Sequence, residues 1–180
     1  MSTILNTNGA ELQIPTVLPD VRGNFYVITA DWNPLITYAL RDGAIEVLKK
    51  AGIPNDNIIS LAVPGTVELV NAAAVAMKKG PLSKFNQNGE LIDGKPVEAV
   101  IIIGCVIRGD TPHFDYVCQI AAQGIAELNA KGEAPVIFGV LTVDNQQQAL
   151  DRAGGCLGNK GAEAACAAIT MANFPHLIQQ

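Results

Sequence analysis

The stretch that decides the fold is 98-EAVIIIGCVIRGDTPHFDYVCQIAAQGIAELNAKGEAPVIFGVL-141. It opens with residues 98–104, in which Ala99–Ile103 is an unbroken apolar run rich in β-branched side chains, so the spacing predicts a strand buried on both faces. The loop RGDTP follows, then a helix over 113–131, then a second apolar run, PVIFGVL at 135–141, read as another strand. A buried strand, a helix and a second buried strand form a βαβ unit, and two strands joined this way run parallel.

The pattern extends in both directions. NFYVITA at 24–30 reads as a strand, and the apolar positions of 33–51 fall at helical spacing, with Asn33 as cap, Pro34 at the first helical position and Gly52 as terminator. NIISLAV at 57–63 is a further strand broken by Pro64-Gly65, and 68–79 is an Ala/Val-rich helix. Downstream, 146–153 and 160–172 read as helices separated by GGCLGN. Residues 80–96 (GPLSKFNQNGELIDGKP) are polar and punctuated by Gly and Pro, hence a surface loop. The expectation is one α/β domain over 1–180, with 1–23 as an N-terminal extension and a four-stranded or slightly larger parallel sheet covered on both faces.

Composition narrows the function. Of the 180 residues 49% are hydrophobic, and a mean hydropathy of +0.25 implies that apolar surface is buried on both faces of the sheet or between subunits. A net charge of −5 gives no dense basic surface for nucleic acid. The apolar runs fall short of the ~20 residues of a membrane helix. The first twenty residues hold no Lys or Arg, so no signal peptide is read and a cytoplasmic protein is expected. The four cysteines, Cys105, Cys118, Cys156 and Cys166, form no C-x-x-C pair and only two histidines accompany them, which predicts reduced thiols and no metal site.

In a parallel sheet ligands bind beyond the carboxyl ends of the strands. Four segments lie there: ADWN at 30–33, VPGTVE at 63–68, GCVIRGDTPH at 104–113 and LTVDNQ at 141–146. Gly109, Asp110 and Thr111 precede a helix start, where free N–H groups and the helix dipole favour a phosphate. His113 opens that helix, and an imidazole exchanges protons near neutral pH. The same residues also suit a plain helix cap beside a surface histidine. Trp32, the only tryptophan, offers a flat face for stacking, though it equally suits a core or an interface. Glu68 is either an acceptor for ligand hydroxyls or a first-turn carboxylate facing the dipole. Arg152 and Lys160 flank a glycine-rich turn, as phosphate-binding cations or as solvated helix ends. Phe138 is core unless a neighbouring subunit presents it to a site.

Three segments together resemble the lumazine synthase family: VPGTVEL at 63–69, GCVIRGDTPHFDYV at 104–117 and PVIFGVLTVDNQQQALDRAGGCLGNKGAEAACAAI at 135–169. ADWN adds a fourth match, and the likeness runs from Asn24 to Ala172. The resemblance implies a flavodoxin-like three-layer α/β/α sandwich, assembled as pentamers with active sites between adjacent subunits. It implies the condensation of 5-amino-6-(ribitylamino)uracil with 3,4-dihydroxy-2-butanone 4-phosphate to 6,7-dimethyl-8-ribityllumazine, phosphate and water, in riboflavin biosynthesis and without a cofactor. By position it implies that Trp32 stacks on the pyrimidine, and Asn33 beside it is expected to contact the pyrimidine or ribityl part of the substrate. Thr66, Val67 and Glu68 would contact the ribityl chain and ring, and the backbone of Cys105, Val106 and Ile107 the ring edge. Gly109, Asp110 and Thr111 would cradle the phosphate with Arg152 as cation, His113 would transfer protons, and Phe138 and Lys160 would come across the subunit interface.

The chain departs from the family pattern at Val67, usually aromatic, at Asp110, a carboxylate beside the phosphate, at Trp32, more often Phe in bacteria, and in its longer 80–96 loop. The short turn at 153–160 is the form that the family associates with pentamers closed into an icosahedral shell, and riboflavin synthase is the partner the resemblance suggests. Two other readings stand beside the enzyme: a flavin- or lumazine-binding module without catalysis and a shell-forming protein, both on the same fold. Having both His113 and Arg152 favours the enzyme, since a pure binder needs neither proton transfer nor phosphate capture.

Overall fold

The computed structural model describes residues 11–80, 84–85, 91–92 and 94–178. The main sheet holds β1 (Asn24–Ala30), β2 (Ile58–Val63), β3 (Val97–Ile107) and β4 (Val136–Val143), all parallel, in the order β2-β1-β3-β4. Helices α1 (Pro34–Lys50), α2 (Glu68–Lys79), α3 (His113–Ala130), α4 (Gln146–Arg152) and α5 (Lys160–Leu177) complete the domain. Chain order reverses between β1 and β3, so the switch point where an α/β sheet opens a crevice lies between these two strands.

Strand alternation assigns the two faces. Phe25, Val27, Ile101 and Ile103 pack under α1 and α5 with Leu40, Val47, Ala165 and Ile169. Tyr26, Ile28, Val100 and Ile102 face α2 and α3, against Leu69, Ala73, Ile125 and Leu128. The result is the expected three-layer sandwich. Burying one side chain of this size is worth about 1.5–3 kcal/mol, so each central strand contributes to both cores. Among the described residues no helix is long and apolar enough to cross a membrane.

Several boundaries differ from the sequence reading. β3 was expected to stop at Gly104 but continues to Ile107, because β4 runs beside it through Cys105↔Leu141, Val106↔Thr142 and Ile107↔Val143. β4 correspondingly reaches Val143. Residue 57 closes a single 3-10 turn, Asn55–Asn57, before β2. α5 runs on from Ala172 to Leu177 and contains Pro175, whose missing N–H falls in the last turn. The GGCLGN turn is a tight antiparallel ladder, Ala153–Gly155 against Gly158–Asn159. Within 80–96, expected as loop, Lys84–Phe85 pairs with Leu91–Ile92; 81–83, 86–90 and 93 lie outside the described residues, as do 1–10 of the N-terminal extension. The remainder of that extension is tied to α5 by Asn173, which accepts from the Leu18 N–H at 3.0 Å and donates to the Thr16 carbonyl at 2.8 Å.

Asn33 departs most from expectation. It stands at the N-cap of α1, but its side chain makes no capping bond; its backbone is left-handed, with φ 61° and ψ 54°. The carboxamide instead reaches across the sheet, Nδ2 donating to the Cys105 carbonyl at 3.0 Å.

Candidate functional site

The crevice at the switch point is a cleft of about 440 Å3. Three chain turns converge on it. From the end of β1 come Trp32 and Asn33, from the β2–α2 turn Gly65, Thr66, Val67 and Glu68. From the end of β3 and the start of α3 come Cys105, Val106, Ile107, Gly109, Thr111, His113, Phe114 and Val117. Most of the residues expected at the site are thus brought together in one chain.

Each wall has a local cause. Trp32 follows the last residues of β1 and is 73% exposed, so it is no core residue; its ring is available on the cleft's rim. Thr66 is buried because β3 has a glycine opposite it: a Cβ at Gly104 would lie 3.0 Å from Thr66 Oγ1. The Glu68 carboxylate bends back over its own turn, where a Cβ at Gly65 would be 3.0 Å from Oε2. Cys105 contributes backbone here, since its side chain packs in the α1/α5 core, and burial pushes the thiol up to about 11.

The polar edge along β3 follows from strand geometry. The N–H groups of Val100 and Arg108 donate to the carbonyls of Pro135 and Val143, so even-numbered β3 residues point their backbone at β4. Odd-numbered ones point it at β1. Pairing with β1 ends at Thr29↔Ile103, so Cys105 and Ile107 direct backbone groups past the last residue of that ladder and into the crevice. Asn33 takes the carbonyl of Cys105.

Arg108, which the sequence reading did not single out, braces the following loop. Its guanidinium lies 4.1 Å from the Phe114 ring centroid and contacts Asp115 and Asp144, each at 3.3 Å. It therefore ties the start of α3, which carries His113, to the turn after β4. The only prior signal was its position directly before Gly109.

Asp110 does not line the cleft, although Gly109 and Thr111 on either side of it do. Phe138, Arg152 and Lys160 belong to a second cleft, also about 440 Å3, along the outer edge of β4. There Phe138 is 41% exposed on the edge strand. Arg152 Nη1 donates to the Gln148 carbonyl at 2.9 Å, and Lys160 Nζ lies 2.7 Å from Glu163 Oε2. The two clefts share no lining residue. Sequence reasoning missed Gly65, Phe114 and Val117 in the first and Glu163 in the second; Phe114, as the neighbour of His113, was the most legible of these.

Residues 22–176 match the family model described as 6,7-dimethyl-8-ribityllumazine synthase. A protein of that name from Bacteroides fragilis (strain YCH46) is 47% identical over 150 residues, covering 83% of this chain and 94% of that one. One from Phocaeicola vulgatus is 48% identical over 156 residues, covering 87% and 84%. One from Cytophaga hutchinsonii is 51% identical over 148 residues, covering 82% and 83%. The matched span contains both clefts, the whole main sheet and all five helices but for Leu177 at the end of α5, and the chain therefore belongs to the 6,7-dimethyl-8-ribityllumazine synthase family, transferases of riboflavin biosynthesis.

Proposed function

We propose that the chain condenses 5-amino-6-(ribitylamino)uracil with 3,4-dihydroxy-2-butanone 4-phosphate to 6,7-dimethyl-8-ribityllumazine, phosphate and water, in a site formed where the first cleft of one copy meets the second cleft of the next in a homo-pentamer. The observation that carries this reading is the separation of the expected site residues into two clefts of one chain, one at the switch point and one along the outer edge of β4.

In the first cleft Trp32 stacks on the pyrimidine, and the odd-numbered backbone groups of Cys105 and Ile107 read its edge, with Val106 between them. Thr66, Val67 and Glu68 line the path of the ribityl chain, Glu68 as acceptor for its hydroxyls. The loop Gly109–Thr111 offers backbone N–H groups to the phosphate, with the Asp110 side chain turned away. The neighbour's Phe138 closes over the ring, and its Lys160 and Arg152 bring positive charge, Arg152 to the phosphate.

The pyrimidine's amine attacks the ketone and an imine forms with loss of water. The proton on C3 and the phosphate on C4 then leave, the resulting enol takes up a proton at C4 to become a methyl ketone, and the ribityl-bearing nitrogen closes the ring on this new carbonyl with loss of a second water. His113, exposed at the cleft, accepts and returns these protons. Holding both substrates together supplies much of the remaining acceleration. The pentamer buries the apolar edge at Phe138; the short 153–160 turn supports closure of pentamers into an icosahedral shell, with riboflavin synthase as a partner.

Two impaired variants test the seam, assayed at butanone phosphate concentrations far below the KM of Arg152→Ala. His113→Ala and Arg152→Ala chains, each slow alone, are mixed, dissociated and reassembled, and the fluorescent lumazine is followed. In a cyclic assembly about a quarter of randomly formed sites combine both intact residues, so activity returns to roughly that level. No recovery in correctly assembled mixtures would place both residues in one chain's site and defeat the reading.

A further inference from the structure

Asn33 is the only non-glycine residue with positive φ among the described residues. A left-handed conformation resists most side chains and is tolerated by Asn, Asp and Gly. Such a residue persists where its surroundings hold it, and such residues cluster at active sites and ligand clamps. Here the restraints are explicit. The Asn33 carbonyl accepts from the N–H groups of Ile36 at 2.9 Å and Thr37 at 3.0 Å, and the Thr37 hydroxyl lies 3.3 Å from it. The side chain is thereby turned away from α1 and aimed across the crevice at the Cys105 carbonyl.

That carbonyl lies beyond the β1–β3 ladder, whose last pair is Thr29↔Ile103. β1 ends at Ala30, and the Asp31 N–H donates to the Val63 carbonyl at 2.8 Å, carrying the chain toward β2. The strands therefore part at the point where the crevice opens, and the Asn33 carboxamide crosses the gap. It joins the turn that carries Trp32 to the strand end that carries the polar backbone edge.

We propose that Asn33 is a positioning residue: its carboxamide stands in for the missing strand beside Cys105 and sets the distance between the Trp32 ring and the Cys105–Ile107 backbone, the slot that a planar ligand ring enters. This rests on the proposed function, since the slot is the one assigned there to the pyrimidine. It differs from the expectation that Asn33 contacts the ligand: here its amide is engaged with the protein, and ring affinity depends on it only through the shape of the slot.

Asn33→Asp and Asn33→Gly test this in the assembled protein, because both residues accept the left-handed backbone. Asp keeps the shape but turns an acceptor toward the Cys105 carbonyl, and Gly removes the side chain. The chain's single tryptophan makes Trp32 emission the readout. Titration with 6,7-dimethyl-8-ribityllumazine should show quenching in the wild type and about tenfold weaker binding in Asn33→Asp, the scale of one lost hydrogen bond. Binding of inorganic phosphate by calorimetry should stay within about twofold, and the melting temperature within a few degrees. In the free protein, Trp32 emission should depolarise faster in both variants, as the turn loosens.

Unchanged lumazine affinity in both variants would overturn the proposal. So would an unchanged free-state anisotropy, which would mark Asn33 as a simple ligand contact. A parallel fall of lumazine affinity, phosphate affinity and melting temperature would reduce it to a structural residue and overturn it too. Absence of quenching in the wild type would instead remove the site assigned under the proposed function, and the proposal with it.

Discussion

The backbone of Gly161, in the first turn of α5, lies directly on the carbonyl of Leu40 in α1: a Cβ at 161 would sit 2.5 Å from the Leu40 carbonyl carbon. Gly43 makes the reciprocal approach, a Cβ there reaching within 2.5 Å of Asn159 Nδ2. Asn159 in turn caps α5, accepting from the N–H groups of Gly161 at 2.9 Å and Ala162 at 3.1 Å, and donates to the Ala39 carbonyl at 3.0 Å. Gly161→Ala forces the two helices apart against backbone that cannot give way. The expected cost is about 2–4 kcal/mol in urea unfolding. A loss below about 0.5 kcal/mol would mean that the crossing is not tight.

The thiols predict an alkaline limit to stability. Burial pushes both Cys105 and Cys166 up to about 11, Glu163 adding a smaller push at Cys166. The folded state holds these protons more tightly than the unfolded chain, whose thiols ionise near 9. Stability is then level below pH 9 and falls between about 9 and 11, where the unfolded chain has already released its protons. Urea midpoints across that window should decline, and less steeply in Cys105→Ala. A slope identical in wild type and variant would remove Cys105 from the explanation.

His113→Ala should lower kcat by about 10²–10⁴-fold, the usual worth of a positioned acid–base group. Lumazine binding should stay within about twofold, because the ring slot is built elsewhere. Wild-type turnover in a folded, assembled variant would show that another group moves the protons.

Arg152→Ala should raise KM for the butanone phosphate by about ten- to a hundredfold, the scale of one charge-assisted contact. KM for the pyrimidine should move little. Equal losses for both substrates would indicate a damaged assembly rather than a missing phosphate contact.

Sedimentation at neutral pH should find particles no smaller than a pentamer, and a closed shell if the 153–160 turn acts as expected. A stable monomer with full activity would contradict a site shared between copies.

Most of the sandwich could be read from periodicity, because strands buried on both faces leave continuous apolar runs such as Ala99–Ile103, and the start of α1 carries its own mark at Pro34. The end of β3 could not, since Cys105–Ile107 is held in the strand by a partner, Leu141–Val143, far along the chain. Asn33 looked like a cap because its sequence position is that of a cap; only the sheet reveals the Cys105 carbonyl that takes its side chain. The residues of the first cleft were legible because each follows a strand. The placement of Arg152 in another cleft was not, as nothing in its local sequence says which edge of β4 it faces.

The crevice edge along β3 is made of main-chain groups, and this shapes how the protein can drift. A substitution at Ile107 or Val106 alters packing, but the order of donors and acceptors offered to a ring stays the same as long as the strand does. Recognition of that edge is thus insulated from side-chain identity, whereas Trp32, Thr66 and Glu68 face the same space with groups that a single codon change deletes. Selection on ligand shape would act on the turns after β1 and β2, leaving the β3 edge free to record the history of the core.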